Sequence, residues 1–421
     1  MTCPCIVPTG STLSGRSSSS SAGGAARALC QRAAPGSRDA ARLRAKMLPM
    51  SETGAPTVPR AASRARVEII DYLRLLAAIS VMGFHYLYNG INNGKVGSIS
   101  HEPIARIAEH AHLGVNLFFM ISGFVITASV RGKTARQFAV GRALRLYPAF
   151  WVAVGITTCF ALVLGGERMG VTPQQVLVNL TMIPSLLGQP YVDGVYWTLL
   201  YELQFYVMVF ALVLFGQGNR VAALMPAWAM LMLYVTMMSP RLADDVPYLG
   251  GYFVWFAAGA IICSIAESGW SAYRAAGLLA AYIPISDLEI TTDSLLKTLV
   301  FLLMMTTLSP KVRSLRLPGS ATAGGLTYPI YLLHAHIGYM LLDTFATESN
   351  KWVAYAAVVG FVLILAYALH RLVERHPASR RFWAWLLGAT LGRAVDLLQS
   401  LVDRMRALEA RRDAGKVPSK P

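Results

Sequence analysis

The stretch Ile69–Ile91, IIDYLRLLAAISVMGFHYLYNGI, decides how this chain must fold. A helix needs roughly 20 predominantly apolar residues to cross the hydrocarbon core of a bilayer, and this stretch is long enough. Apart from tyrosine, its ionisable side chains are Asp71, Arg74 and His85. Because hydrocarbon offers no water to satisfy backbone groups, such a run predicts a transmembrane helix.

Similar apolar runs recur along the chain and are separated by short polar loops. The 421 residues are 55% hydrophobic and only 14% charged, with a mean hydropathy of +0.47. Soluble domains carry roughly 25% charged residues, so this composition is not that of a soluble domain. We predict an all-α, polytopic transmembrane bundle of about ten spans, with apolar runs at 69–91, 113–130, 146–164, 196–215, 221–238, 248–265, 274–286, 294–308, 326–345 and 353–373.

The formal net charge of +16 lies mostly in the two ends and in the short loops. With the N-terminus placed inside, ten basic residues fall in the inner loops and five in the outer loops. Cytoplasmic loops of membrane proteins carry this excess of Lys and Arg. The charge pattern therefore predicts that both termini are cytoplasmic, and it argues against nucleic acid as a partner.

The predicted organisation is a membrane domain at 67–378 between basic tails at 1–66 and 379–421. The first tail is rich in Ser, Ala, Gly and Arg and lacks the apolar mass to pack, so we expect it to be disordered. Its composition is typical of an organellar transit peptide, but a start codon assigned too early also explains it, with Met47 or Met50 as the true beginning, and we favour this second explanation. In the second tail, Phe382–Arg412 has apolar positions at helical spacing, which predicts an amphipathic helix on the inner membrane surface.

Ionisable groups inside apolar runs are costly and are therefore candidates for function. The step from Arg74 to His85 returns to within about 20° of the same helix face and rises about 16 Å, and Asp71 shares that face. His85 lies well inside the run, and a histidine takes and returns a proton near neutral pH. Asp71 and Arg74 also fit an interfacial pair that reaches out to water.

Basic and acidic candidates also occur around the third and fourth runs. Arg142 and Arg145, in the loop before the third run, share a helix face and fit a clamp for phosphate, although such loops are often basic only to set orientation. Glu202 is an acid inside the fourth run, where it fits an orienting partner for a histidine or a ligand of a sugar hydroxyl. Trp197 fits an aromatic belt at the membrane interface.

The ninth run carries two histidines, His334 and His336, and Tyr331 shares a face with His334. A buried and satisfied histidine is common, but two in one span favour a functional role. The five cysteines show neither a zinc spacing nor a disulfide pattern, and no metal site is predicted.

These pieces, in this order, resemble the family 3 membrane acyltransferases, which modify bacterial cell-surface glycans and other acceptors. The resemblance covers residues 67–378. It rests on Arg74 with His85, Ser122-Gly123-Phe124, Arg142-x-x-Arg145, Trp197-Thr-Leu-x-x-Glu202-x-Gln204-Phe205-Tyr206, Leu326-Thr-Tyr-Pro-Ile-Tyr-Leu-Leu-His334 and Glu374-Arg375-His376-Pro377. Thr198 stands where Ser is more usual, and His376 is a second departure.

The resemblance implies a protein of the bacterial inner membrane that moves an acyl group, usually acetyl, from cytoplasmic acyl-CoA to a hydroxyl of a saccharide or lipid-linked glycan. Acetyl-CoA would be a co-substrate, with no bound cofactor. A bacterial family also favours the over-long start. The implied roles are His85 as catalytic base or acyl relay with Glu202 on the acceptor side, donor binding by Arg74, Arg142 and Arg145, and supporting roles for Asp71, Trp197, Tyr206, Tyr331 and His334.

Two other functions fit the same residues. A proton-coupled transporter or flippase of a polyanion or lipid-linked sugar would use the buried His and Glu side chains as a proton path. A membrane scaffold without catalysis would make substitution of His85 silent. Internal repeats, which many transporters contain, are not evident in this sequence.

Overall fold

The computed structural model describes residues 67–286 and 290–414, and within these ranges the chain is helical without a β-strand. The predictions for residues 1–66 lie outside the described residues. The main helices, in chain order, are α1 (Glu68–Asn92), α2 (Ala105–Val130), α3 (Ala135–Leu164), α4 (Gly194–Leu214), α5 (Gly218–Met238), α6 (Phe253–Ser268), α7 (Ala272–Ile285), α8 (Thr292–Met305), α9 (Ser320–Leu333), α10 (Ala335–Phe345), α11 (Lys351–Glu374), α12 (Pro377–Ala389) and α13 (Leu391–Ala414).

Six of the described helices, α1 to α5 and α11, are long and apolar enough to cross a membrane. The all-α class is therefore confirmed for the described residues. The remaining predicted runs correspond to the shorter helices α6 to α10. The count of ten spans, and the cytoplasmic placement of both termini, stay predictions.

Three predicted segments differ from the structure. The third helix begins at Ala135, well before the predicted start, because the side chains of Thr134 and Gln137 form a capping box. Arg142 and Arg145 thus lie on α3 rather than in the loop before it. The ninth run is divided at His334, because the amide of His336 donates to the Asp193 carboxylate, while the Leu332 carbonyl accepts from the Tyr196 hydroxyl.

The third difference lies in the C-terminal segment, which forms two helices, α12 and α13, instead of one. Both helices pack on α3, where Arg136 pairs with Asp396 and donates to the Gly388 carbonyl at 3.1 Å. The segment keeps large exposed apolar side chains, among them Trp385 and Leu397. Its placement at the membrane surface stays a prediction.

The centre of the bundle is α6, which is buried along nearly its whole length by α2, α5 and α7. Gly123 of α2 and Gly259 of α6 allow this packing. A Cβ on Gly123 would lie 2.0 Å from the Phe256 carbonyl oxygen, and one on Gly259 would lie 1.8 Å from that of Met120. The small residue in Ser122-Gly123-Phe124 therefore serves close helix packing, as small residues commonly do in membranes.

The loop between α1 and α2 is fastened to the opposite helices by charged contacts. Lys351 pairs with Glu102 and, at 2.5 Å, with Glu348, while Glu348 accepts from the Ser100 amide at 2.6 Å. A second contact joins the Gly97 amide to the Asp343 carboxylate at 2.7 Å. We call these contacts the loop clasp. The same loop carries Lys95.

The clasp is expected to open in acid. The Lys351 ammonium and the Ser100 groups lower the pKa of Glu348 from 4.5 to about 2. A carboxylate with a lowered pKa stabilises the folded form above its unfolded pKa, so this stabilisation is lost as the pH falls from about 4.5 towards 2. Hydrogen exchange of the Ser100 amide should accelerate in this range beyond its intrinsic pH dependence. In Glu348→Ala, which removes the acceptor, the amide should exchange fast already at neutral pH, and equal protection in both proteins would contradict the assignment.

Candidate functional site

Two cavities lie one above the other beside α1. The arginine cavity, of about 340 Å³, is lined by Arg74, Ser122, Arg142, Arg145, Glu202, Tyr206 and Tyr328 among others. The histidine cavity, of about 290 Å³, is lined by His85, Asn89, Lys95, Trp197, His336 and Tyr339 among others. Val115 and Tyr331 belong to the walls of both. The two cavities are therefore neighbours, separated by the rise of about 16 Å between Arg74 and His85 on α1.

His85 is placed in the histidine cavity by a π-helical turn, His85–Asn89, near the end of α1. Such turns interrupt α-helices frequently at functional sites. The His85 Nδ1 atom contacts the hydroxyl of Tyr339, and the Asn89 amide donates to that hydroxyl at 2.9 Å. One ring nitrogen of His85 is thus held by partners from α1 and α10, which fixes the orientation of the ring.

His334 lies directly beside His85. The two ring centroids are 5.1 Å apart in an edge-to-face arrangement, and His334 has no exposed surface. Its Nδ1 donates to the Tyr331 carbonyl at 2.8 Å, which leaves Nε2 as an acceptor. This Nε2 is buried without a hydrogen-bond partner in the described part of the chain. His334 thus places an unsatisfied acceptor nitrogen next to His85.

A third group, formed by Asp193, His336 and Lys95, lies at the histidine cavity, and of these residues the sequence pointed only to His336. The fully buried Asp193 carboxylate accepts from the backbone amides of Val195 at 3.1 Å and His336 at 3.0 Å. The His336 Nε2 lies 2.6 Å from Lys95 Nζ and 3.2 Å from the Gly194 amide. Both partners are donors, so this nitrogen is an unprotonated acceptor.

Lys95 therefore brings a cation to the wall of the cavity that holds His85. Burial lowers the pKa of the Lys95 ammonium from its ordinary value, and the charge of Asp193 opposes this shift. The ammonium also lies 5.8 Å from the centre of the Tyr339 ring. A signal for Asp193 was present in the sequence, because an Asp directly before Gly194 and an apolar helix is typical of an N-cap. Lys95 lies in a loop and had no such signal.

Glu202 holds a different position, in the arginine cavity. Its carboxylate accepts from the Tyr206 hydroxyl one helical turn away and from Ser122 Oγ at 3.3 Å. The Tyr206 ring in turn faces the Arg142 guanidinium, whose carbon lies 5.7 Å from the ring centre. Glu202 is thus not a hydrogen-bond partner of His85, and the prediction that it orients a histidine receives no support from the geometry.

Arg142 and Arg145 point into the arginine cavity together with Arg74. Arg145 Nη1 lies 3.3 Å from Glu374, which also accepts from His370 Nδ1 at 2.6 Å. Arg142 contacts Ser129 Oγ only weakly, at 3.4 Å, and its Nε is buried without a partner in the described residues. Three cations therefore converge on one cavity that contains a single carboxylate, Glu202, among its lining residues.

The structure brings most of the predicted site residues to these two cavities. Tyr331 lies between them and shares a hydrogen bond of 2.5 Å with Thr198. The hydroxyl that Thr198 has in common with the more usual Ser is therefore hydrogen-bonded. Trp197 lines the histidine cavity and packs on Tyr252 at 5.0 Å between ring centres. Asp71 lines neither cavity; it is buried where α1 packs on Gly324 of α9.

A family model described as an acyltransferase domain matches residues 67–371. The chain belongs to the family 3 membrane acyltransferases. The matched residues include both cavities and the six long apolar helices, of which α11 is matched up to Arg371. The protein is therefore an integral membrane acyltransferase, and the resemblance inferred from the motifs is confirmed. Among residues 67–286 and 290–414, no group of three or more His, Cys, Asp or Glu side chains is placed to hold a metal ion.

Two known proteins are similar to most of the chain. Nodulation protein 10 of Rhizobium leguminosarum bv. viciae is 27% identical over 351 residues, which cover 74% of this chain and 92% of that protein. The exopolysaccharide production protein ExoZ of Rhizobium meliloti (strain 1021) is 30% identical over 308 residues, which cover 67% of this chain and 94% of that protein. No solved structure matches the chain.

Proposed function

We propose that this protein transfers an acyl group, acetyl in the simplest case, from acyl-CoA to a hydroxyl of an envelope polysaccharide or its lipid-linked precursor. The observation that carries the proposal is the pair of adjacent cavities, with three arginines in one and His85 in the other. The arginine cavity suits a donor that carries phosphate groups, and the histidine cavity provides a proton acceptor. A transferase needs both in one continuous site.

The donor side is assigned to the arginine cavity. Guanidinium groups bind phosphate through two parallel hydrogen bonds, and Arg142 has donor capacity that the described residues do not use. Loops rich in Lys and Arg favour the cytoplasm, so the arginine end of the bundle faces the compartment that contains acyl-CoA. In a bacterium this membrane is the inner membrane. The acceptor then approaches from the other end, where the histidine cavity lies.

The chemistry is assigned to His85. In the tautomer that donates from Nδ1 to Tyr339, Nε2 accepts the proton of the acceptor hydroxyl. The hydroxyl oxygen attacks the thioester carbonyl, the carbon–sulfur bond breaks, and the departing thiolate takes the proton back from His85. The negative charge that develops on the carbonyl oxygen is stabilised by Lys95 and Asn89, two donors on the wall of the same cavity.

The acceptor class is inferred from the relatives. The name of ExoZ assigns that protein to exopolysaccharide production, and this chain covers nearly its whole length. The histidine cavity agrees with a sugar acceptor, because Trp197 and Tyr252 present aromatic rings and Asn89 and Asn116 present amides on its walls. Aromatic faces and amides together suit a ring that carries hydroxyl groups.

Mass spectrometry of envelope glycans tests the proposal most directly. A deletion strain should lose an ester-linked acyl mass, and wild type should restore it whereas His85→Gln should not. Purified protein in lipid nanodiscs should release CoA from acetyl-CoA only when the acceptor glycan is present. Unchanged glycans together with proton-coupled flux of a lipid-linked sugar would overturn the proposal in favour of transport.

Lys95→Met is expected to lower kcat about tenfold, the effect of losing one charged hydrogen bond to the transition state. The KM for the donor should stay unchanged, because Lys95 does not line the arginine cavity. Lys95→Arg keeps the charge and should retain part of the rate, while Lys311→Met, in an exposed turn elsewhere, serves as the control. A rise in donor KM without a fall in kcat would contradict the assigned role.

A further inference from the structure

A third cavity lies against the arginine cavity, between α3, the end of α11 and α12. It has a volume of about 950 Å³, and its walls include Arg145, Arg375, Arg380, Arg381 and Trp383. We call it the tryptophan cavity. Gly141 and Arg145 also line the arginine cavity, so one side of α3 belongs to both. A molecule that fills the arginine cavity therefore extends naturally into the tryptophan cavity.

The charge of this cavity is unbalanced. Arg145 pairs with Glu374, the acid on its wall. Arg375, Arg380 and Arg381 form no ion pair with any residue in the described part of the chain, and their side chains are exposed. Three guanidinium groups around one concavity, without an ion pair among the described residues, favour a ligand that carries more than one negative charge.

An aromatic side chain completes the cavity. Trp383 is half-buried and rests on Trp151 of α3, with 5.3 Å between the ring centres, while it also lines the cavity. Bases stack readily on aromatic rings, and an indole supported from behind is already ordered for this purpose. Cations with a fixed aromatic surface suit a ligand that combines phosphates with a planar base.

We propose that the tryptophan cavity binds the 3′-phosphoadenosine end of the coenzyme. This inference rests on the proposed use of acyl-CoA as the donor. It gives a binding site to the nucleotide half of acyl-CoA, which lies outside the arginine and histidine cavities. The adenine packs against Trp383, and the 3′-phosphate is held by Arg380 and Arg381. The diphosphate lies at Arg145, which both cavities share, and the pantetheine arm runs through the arginine cavity towards His85.

The test compares acetyl-CoA with its form that lacks the 3′-phosphate. In wild type, loss of this phosphate should raise the KM about tenfold or more and leave kcat unchanged, as expected for uniform binding. In Arg380→Ala/Arg381→Ala, the KM for acetyl-CoA should rise by the same factor, and the two donors should become equivalent. The matched control is Arg411→Ala/Arg412→Ala, which removes two adjacent exposed arginines near the end of α13 and should preserve the wild-type ratio.

Three outcomes overturn the inference. In the first, Arg380→Ala/Arg381→Ala leaves the ratio of the KM values for the two donors, with and without the 3′-phosphate, unchanged. In the second, the control variant changes this ratio by the same amount. In the third, Arg380→Ala/Arg381→Ala loses activity only in nanodiscs that contain anionic lipid, and equally with both donors, which would assign these arginines to lipid headgroups. Direct titration of the protein with CoA and dephospho-CoA separates this inference from the reaction itself. If CoA binding depends on the 3′-phosphate but no acyl-CoA is turned over, the proposed function is refuted. The assignment of the tryptophan cavity to the 3′-phosphoadenosine end of CoA then still holds.

Discussion

Replacement of His85 by glutamine is expected to slow acyl transfer by about 10²–10⁴-fold, the usual contribution of a general base. Glutamine keeps a polar group within reach of Tyr339 and Asn89, but it cannot accept a proton. The effect should fall on kcat, because His85 lies outside the arginine cavity and donor binding is left intact. Single-turnover measurements with purified protein and acetyl-CoA would give the rate of the chemical step directly.

The matched control for this prediction is His101→Gln. His101 is exposed in the loop after α1 and stacks on Tyr88, with 5.6 Å between ring centres, but it does not line the histidine cavity. It should retain the wild-type rate. Equal thermal unfolding of both variants would show that the bundle is intact. Full activity of a folded His85→Gln protein would refute the assignment of His85 as the proton acceptor.

Replacement of Gly123 by alanine is expected to destabilise the bundle by about 3 kcal/mol, at the upper end of the usual cost of overpacking. The added Cβ would lie 2.0 Å from the carbonyl oxygen of Phe256, and this neighbour is backbone that cannot rotate away. Helices α2 and α6 must therefore separate, and α2 carries residues of both cavities. A lower midpoint of thermal unfolding in detergent, with a lower yield of folded protein, would be the result.

Gly155→Ala in α3 is the control, since no atom lies within 4 Å of its added Cβ. Alanine favours a helix over glycine by up to about 1 kcal/mol, so this variant should be as stable as wild type or slightly more stable. Gly259→Ala should resemble Gly123→Ala, because its Cβ meets the Met120 carbonyl across the same contact. A Gly123→Ala protein as stable as Gly155→Ala would contradict the tight packing of α2 on α6.

The helices were largely predictable because lipid imposes a simple rule on sequence. Each crossing segment must be a run of apolar residues, and the runs at 69–91 and 221–238 correspond closely to α1 and α5. Boundaries set by side-chain hydrogen bonds were less predictable. The capping box at Thr134 extends α3 through a polar stretch, and the Asp193 carboxylate, which binds the His336 amide, divides one apolar run into two helices.

The residues of the site were predictable to the extent that they are ionisable groups inside apolar runs. His85, Glu202 and His334 stand out because burial of such groups is costly. Lys95 and Tyr339 do not stand out, since a loop lysine and a membrane tyrosine are both common. Tyr339 meets His85 across 254 residues of sequence, and only the packing of α10 on the π-turn of α1 brings them together.

The amino-acid sequence by itself determined that the protein is helical, lies in a membrane and has the motifs of an acyltransferase, because hydropathy and local spacing are properties of single segments. Which charged residues lie in which cavity was decided by tertiary structure. Glu202 lies with the arginines and not with His85, whereas Asp193 and Lys95 join the histidines. These partners come from helices and loops that are distant in the sequence. Which of them meet depends on how closely the helices pack, and contacts such as that of Gly123 with the Phe256 backbone determine this packing.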